Sequence, residues 1–257
     1  MNFLRFAQQQ SFWIALFVGV ASGSIGPFII LRRMALVGDA LSHVALPGIG
    51  LALMYHFDPF YGVITFLAAA ALLIFWLEKR SEIPADAIVG LLFTASLAIG
   101  ILMIPNDDII ESLFGAFPVL GTGFLLAILA SAAALTILCF VFAKRFLFMI
   151  VSPDLARVSG LGGGYELALL LIFAIIVALG IKLVGTLLMG ALTIIPASIA
   201  KNVAPSMRAY VVLSALLGGT ISVAGASIAS AFRFLPGPSI VLLGVAVFLL
   251  SIPVRRR

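Results

Sequence analysis

The sequence predicts an all-α polytopic membrane protein with eight to nine transmembrane helices, and three observations carry that prediction. Hydrophobic residues make up 63% of the 257 positions and charged residues 10%, with a mean hydropathy of +1.29, outside the soluble globular range. Apolar runs of about 20 residues, the length that crosses a hydrocarbon core about 30 Å thick, recur along the whole chain. Cationic side chains gather in alternate connections, the asymmetry that membrane insertion imposes.

Taken in order, the candidate spans are 11–31, 36–56, 60–77, 86–105, 123–143, 166–181, 185–201, 209–231 and 238–252. The stretch 166–200 would run roughly 50 Å as one helix, too long for a single crossing. Gly180-Ile-Lys-Leu-Val-Gly185 is the expected break, with a tight turn between two spans. The last span is short, and 112–122 is a candidate partial or re-entrant segment, so the count stands at eight or nine. These spans form one domain, 1–257, which leaves no room for a second, soluble one. An ATPase, a kinase or a nucleic-acid module would therefore be a separate chain. Residues 1–10 lack a basic region leading into a cleavable apolar core, so no signal peptide is expected.

Orientation follows from charge. Arg32/Arg33, Lys79/Arg80, Lys144/Arg145/Arg157, Lys201/Arg208 and Arg255–Arg257 account for twelve of the fifteen Lys and Arg residues. The other side holds Arg5, Lys182 and Arg233 with Asp58, Asp107, Asp108 and Glu111. The positive-inside rule then places the N-terminus outside and the C-terminus in the cytoplasm. The net charge of +5 reflects this asymmetry and implies no nucleic-acid partner. The single Cys139 lies in an apolar run; it excludes a disulfide framework within the chain and reads as a small buried hydrophobe.

Of the ten Asp and Glu residues, only Asp39 interrupts a long apolar stretch. An ionisable group there costs roughly 2.5–3.5 kcal/mol on insertion scales, so its retention points to use. His43 follows four residues later, on the same helix face. With Arg33 at the cytoplasmic interface, Asp39 lies about 9 Å deep and His43 about 15 Å deep, near the middle of the core. Pro47 cannot donate to the carbonyl four residues back, which belongs to His43, so a backbone oxygen is freed beside the imidazole. Gly48 and Gly50 thin the same helix for close packing. A carboxylate and an imidazole side by side suit a divalent metal ion or a proton, and their local setting does not separate the two.

Other readings compete at each position. The pair could glue helices through Ser42 or Ser24. An intramembrane aspartyl enzyme needs two carboxylates sharing a proton, and only one lies at depth. His56, beside Asp58 and Pro59, reads as a loop residue. The acidic group with Glu111 suits a cation entrance or a solvated loop equally. In 185–201, Pro196 frees the carbonyl of Leu192, so Thr193, Pro196 and Ser198 are weak pathway candidates beside Ser42 and Pro47. Tight packing alone explains Gly190, Ala191 and Ala197. In the connection 144–164, Ser152 caps a short helix begun by Pro153 and ended by Gly160. With a small face through Ala156 and Gly160, it is a natural docking knob.

The run Arg32-Arg-Met-Ala-Leu-Val-Gly-Asp-Ala-Leu-Ser-His-Val-Ala-Leu-Pro-Gly48 carries a family resemblance. Ala85–Gly90, Leu113–Gly115, Val184–Ala197 and Leu235–Leu242 support it. The chain resembles the membrane permease subunit of bacterial ATP-binding-cassette (ABC) importers for zinc, manganese or iron, over nearly its whole length. That resemblance implies the ABC importer permease fold, in a multi-pass protein of the bacterial inner membrane. It implies a homodimer with two cytoplasmic ATPase subunits that bind ATP, fed by an extracytoplasmic metal-binding protein. Asp39 and His43 map onto the residues associated with transported Zn²⁺ or Mn²⁺ in that family. The segment 152–164, with Pro153, Asp154, Ala156 and Gly160, maps onto the coupling segment; Ser152 departs from an acidic residue common there. The chain itself is expected to be no enzyme. A proton-coupled secondary transporter and a cobalamin or siderophore permease are the competing functions.

Overall fold

The computed structural model describes residues 2–81, 83, 85–104, 112–115, 120–161 and 163–254, the side chains of 2–9, 85, 86, 157 and 254 excepted. Ten α-helices account for almost all of it: α1 (Asn2–Leu31), α2 (Ala35–Met54), α3 (Pro59–Arg80), α4 (Ala85–Met103) and α5 (Thr122–Val151). They continue as α6 (Pro153–Val158), α7 (Gly163–Val184), α8 (Met189–Val203), α9 (Met207–Phe232) and α10 (Pro236–Ser251), with a 3₁₀ turn at Ile252–Val254. Among the described residues, nine helices reach 15 residues or more, and six are long and apolar enough to cross a membrane. Residues Ala87–Met103 of α4 and all of α10 are apolar but shorter.

Bare helix surfaces set the packing. Gly19 and Gly23 of α1 lie on Gly218 and Ser214 of α9, and the Ser214 hydroxyl donates to the Gly23 carbonyl at 2.5 Å. Gly48 of α2 faces Gly62 of α3, where a Cβ would stand 2.5 Å from the Gly62 carbonyl oxygen. Gly50 and Leu46 of α2 meet Met103 and Gly100 of α4. Small residues let backbones approach, the main source of helix affinity where no water drives association. The contacts also fix direction: α1 and α9 run antiparallel, α2 and α4 parallel. The cations at the ends of α1, α3 and α8 and the start of α9 therefore share one end of the bundle, here the basic end.

At that end Arg32 meets both carboxylate oxygens of Glu78 at 3.2 Å. Helices α1, α2, α6 and α9 finish alike, on a left-handed residue followed by a long backward hydrogen bond. Gly160 does this for α6 without a Cβ penalty, whereas Arg33, His56 and Arg233 bear one of about 1–2 kcal/mol each.

The expected break between spans is present. α7 ends at Val184, Gly185 takes φ +84°, and α8 starts at Met189. Residues 112–113 touch this turn: Thr186 N–H donates to Ser112 O and Leu187 N–H to Leu113 O, both at 3.0 Å. Gly115, at φ +74°, packs on the Leu183 carbonyl, and Gly237 at the start of α10 packs on Val184 and Phe114. Nearby, the Gln10 side chain bonds both backbone groups of Leu120, and Asp58 caps α3 through Phe60 N–H at 2.8 Å.

Two expectations need correction. α5 does not stop near residue 143 but runs 30 residues, about 45 Å, so residues 144–151 of the expected connection are helical. Arg145 there lies 5.6 Å from the rings of both Phe142 and Tyr165, which keeps the extension packed. The small face expected of the helix that opens the 152–164 connection is also misplaced. Ala156 is 1% exposed and joins the main core, while Leu155 and Val158 are 61% and 88% exposed. A six-residue helix lying against α5 has one inward face, and the smallest residue occupies it.

Candidate metal pathway site

The site is built on α2, the most thoroughly enclosed of the motif-bearing helices, which packs against α3, α4, α7 and α8. Asp39 is partly exposed, Ser42 is fully buried and His43 is 5% exposed. Spaced one turn apart, Asp39 and His43 have Cβ atoms about 5–6 Å from each other, close enough for one ion to touch both. The His43 ring stands edge-on to Phe93 of α4, centroids 4.7 Å apart at 87°. Its Nδ1 is buried and has no hydrogen-bond partner. A buried nitrogen left unmet costs about 1–3 kcal/mol, a condition Nδ1 shares with the hydroxyls of Ser22, Ser222 and Tyr210.

The gluing alternative loses its partners. Ser42 Oγ donates to Gly38 O and Ser24 Oγ to Ala21 O, both at 2.7 Å, so neither hydroxyl proton goes to Asp39 or His43. Pro47 is buried inside a continuous α2, and His43 O keeps the freedom that a proline four residues on gives it.

α8 closes the other side of Asp39. Its second residue, Gly190, lies so close that an added Cβ would strike Asp39 Oδ1, with Cγ at 2.9 Å and the Asp39 nitrogen at 3.0 Å. Gly38 sits on the same crossing, 3.3 Å (from an added Cβ) to Gly190 Cα and 3.2 Å to Phe173 Cζ of α7. The first turn of α8 has no side-chain cap at Leu188, so its uncapped amides and the positive end of its dipole lie beside a carboxylate. Spacing alone marked Gly190 as packing; its closeness to Asp39 is a tertiary fact. Phe93 was likewise invisible, one aromatic in an apolar helix.

The remaining candidates lie elsewhere. Thr193 is buried, its hydroxyl 3.5 Å from Met189 O and its carbonyl against Gly26 of α1. Pro196 is buried and Ser198 half-buried on α8. Pro153, Asp154 and Gly160 are exposed on and after α6. His56 is exposed in the α2–α3 loop, and Cys139 is buried. Asp107, Asp108 and Glu111 lie outside the described residues. Among the described residues no three His, Cys, Asp or Glu side chains gather.

A bundle of helices, six of them long and apolar enough to cross a membrane, with a partly exposed carboxylate one turn from a buried imidazole, defines the class: a multi-span helical membrane protein. Residues 6–255 match the ABC 3 transport family, and the chain belongs to that family. It is 33% identical to the manganese import system permease protein ScaB of Streptococcus gordonii, over 95% of this chain and 89% of that protein. It is 34% identical to the high-affinity zinc uptake system membrane protein ZnuB of Buchnera aphidicola subsp. Schizaphis graminum, over 93% and 95%. The solved structure of PsaBC from Streptococcus pneumoniae in complex with Fab superposes with a TM-score of 0.83 at 33% identity, covering 95% of this chain and 90% of that one. The expected resemblance to metal permeases is thereby borne out.

Proposed function

We propose that this chain is the membrane permease of an ATP-driven importer for divalent transition metal ions, Zn²⁺ or Mn²⁺, with Fe²⁺ a further candidate. It acts as a homodimer with two cytoplasmic ATPase subunits and receives its ion from an extracytoplasmic metal-binding protein. The relatives named for manganese and zinc import support this reading. The basic end faces the cytoplasm and the chain crosses the bilayer eight or nine times, with α8 and α10 as short crossings.

The observation that carries the site is the unpartnered, buried Nδ1 of His43, one turn from Asp39. Imidazole and carboxylate together accept borderline divalent cations, and two side chains bind loosely enough to release. The freed carbonyl of His43 and the second protomer complete the coordination. ATP-driven movement then exposes the pair to one side and the other in turn.

Uptake of Mn²⁺ and Zn²⁺ by cells carrying Asp39→Ala or His43→Ala tests this. Each variant is expected to lose at least about tenfold in uptake at unchanged membrane abundance. Normal uptake by either variant would remove the pair from the pathway.

A further inference from the structure

We propose that Gly190 is the positioning residue for the Asp39 carboxylate, and that the bare first turn of α8 is the surface on which Oδ1 rests, which sets how the carboxylate faces the ion. This rests on the metal-site reading above. The space Oδ1 fills is the space a side chain at position 190 would take. Cγ and the Asp39 backbone nitrogen are also within 3.0 Å of that point, so the carboxylate cannot yield by a small rotation alone. Gly38 removes the neighbouring side chain from the same crossing, letting α2 and α8 approach backbone to backbone.

α8 also connects the site to the basic end. Its far end is tied to α10, where Asn202 Nδ2 donates to Ser251 Oγ at 2.9 Å. Any displacement of α8 along this tie moves the surface on which Oδ1 rests, and with it the orientation of the carboxylate. Thr193 and Ala197, one and two turns further along α8, meet Gly26 of α1 rather than Asp39 of α2, which provides an internal control.

The experiment is uptake measured against external Mn²⁺ and Zn²⁺ concentration, in cells carrying the full chain with its own partners. Gly190→Ala is expected to raise the half-maximal concentration about tenfold, the scale on which a supporting residue tunes a metal site. Gly26→Ala crowds α8 equally and is expected to lower the melting temperature in detergent without shifting the concentration dependence. An unshifted concentration dependence in folded Gly190→Ala, or an equal shift in Gly26→Ala, would overturn the proposal.

If Gly190→Ala does not accumulate, the double variant with Asp39→Ala decides. Removing the carboxylate is expected to restore accumulation and the melting temperature, and no recovery would overturn the contact. Wild-type uptake by Asp39→Ala alone would instead refute the metal-site reading, and the melting-temperature cycle would still judge the contact.

Discussion

The exposed face of α6 gives a prediction whose size follows from the structure. Leu155 and Val158 project from a helix that turns Ala156 inward, and they retain 61% and 88% of their accessible surface. Fully burying a Leu or Val side chain is worth about 1.5–3 kcal/mol, so covering what remains of these two yields roughly 2–4 kcal/mol. If α6 seats in an ATPase subunit, Leu155→Asp with Val158→Asp forfeits that amount. At 1.4 kcal/mol per decade, association should weaken on the order of a hundredfold. The assay is co-purification of the ATPase chain with the permease across a dilution series, alongside metal uptake. Undiminished association and uptake would refute α6 as the docking element. Ala156→Glu is a poor probe of the same idea, because Ala156 is buried and a charge there disrupts the fold itself.

Two other variants probe the surroundings of the site. Phe93→Ala removes the ring that holds the His43 imidazole edge-on at 4.7 Å, and uptake should fall about tenfold with unchanged membrane abundance. Uptake equal to wild type would show that the imidazole is oriented by other contacts. Gly48→Ala pushes a methyl against the Gly62 carbonyl at 2.5 Å, and overpacking of this kind costs about 1–3 kcal/mol. A clear drop in the detergent melting temperature is the expected readout, and no drop would show that α2 and α3 separate freely.

Much of this architecture was legible because membrane insertion writes it into composition. Apolar runs marked nine of the helices, and Gly185 together with the excess length of 166–200 located the α7–α8 break. Asp39 and His43 stood out because an ionisable pair in an apolar run is costly. What escaped the sequence depends on neighbours. The overrun of α5 past Lys144 escaped because cations mark where a helix leaves the bilayer, not where it ends. The inward turn of Ala156 was hidden because a short helix does not declare which face it buries. Gly190 and Phe93 belong to the site only through α8 and α4 reaching α2, and no local pattern encodes that.

The backbone knot at the end away from the basic one has its own consequence. Three segments far apart in the chain, 112–115, 183–188 and 236–237, interlock there through main-chain atoms and the hydrogens of Gly115, Gly185 and Gly237. A Cβ at any of the three glycines would strike main-chain atoms, so no larger residue fits there. A tolerance map of this protein is therefore expected to show mechanical intolerance at this junction, as distinct from the chemical intolerance around Asp39. The junction ties α7, α8 and α10 to one common anchor.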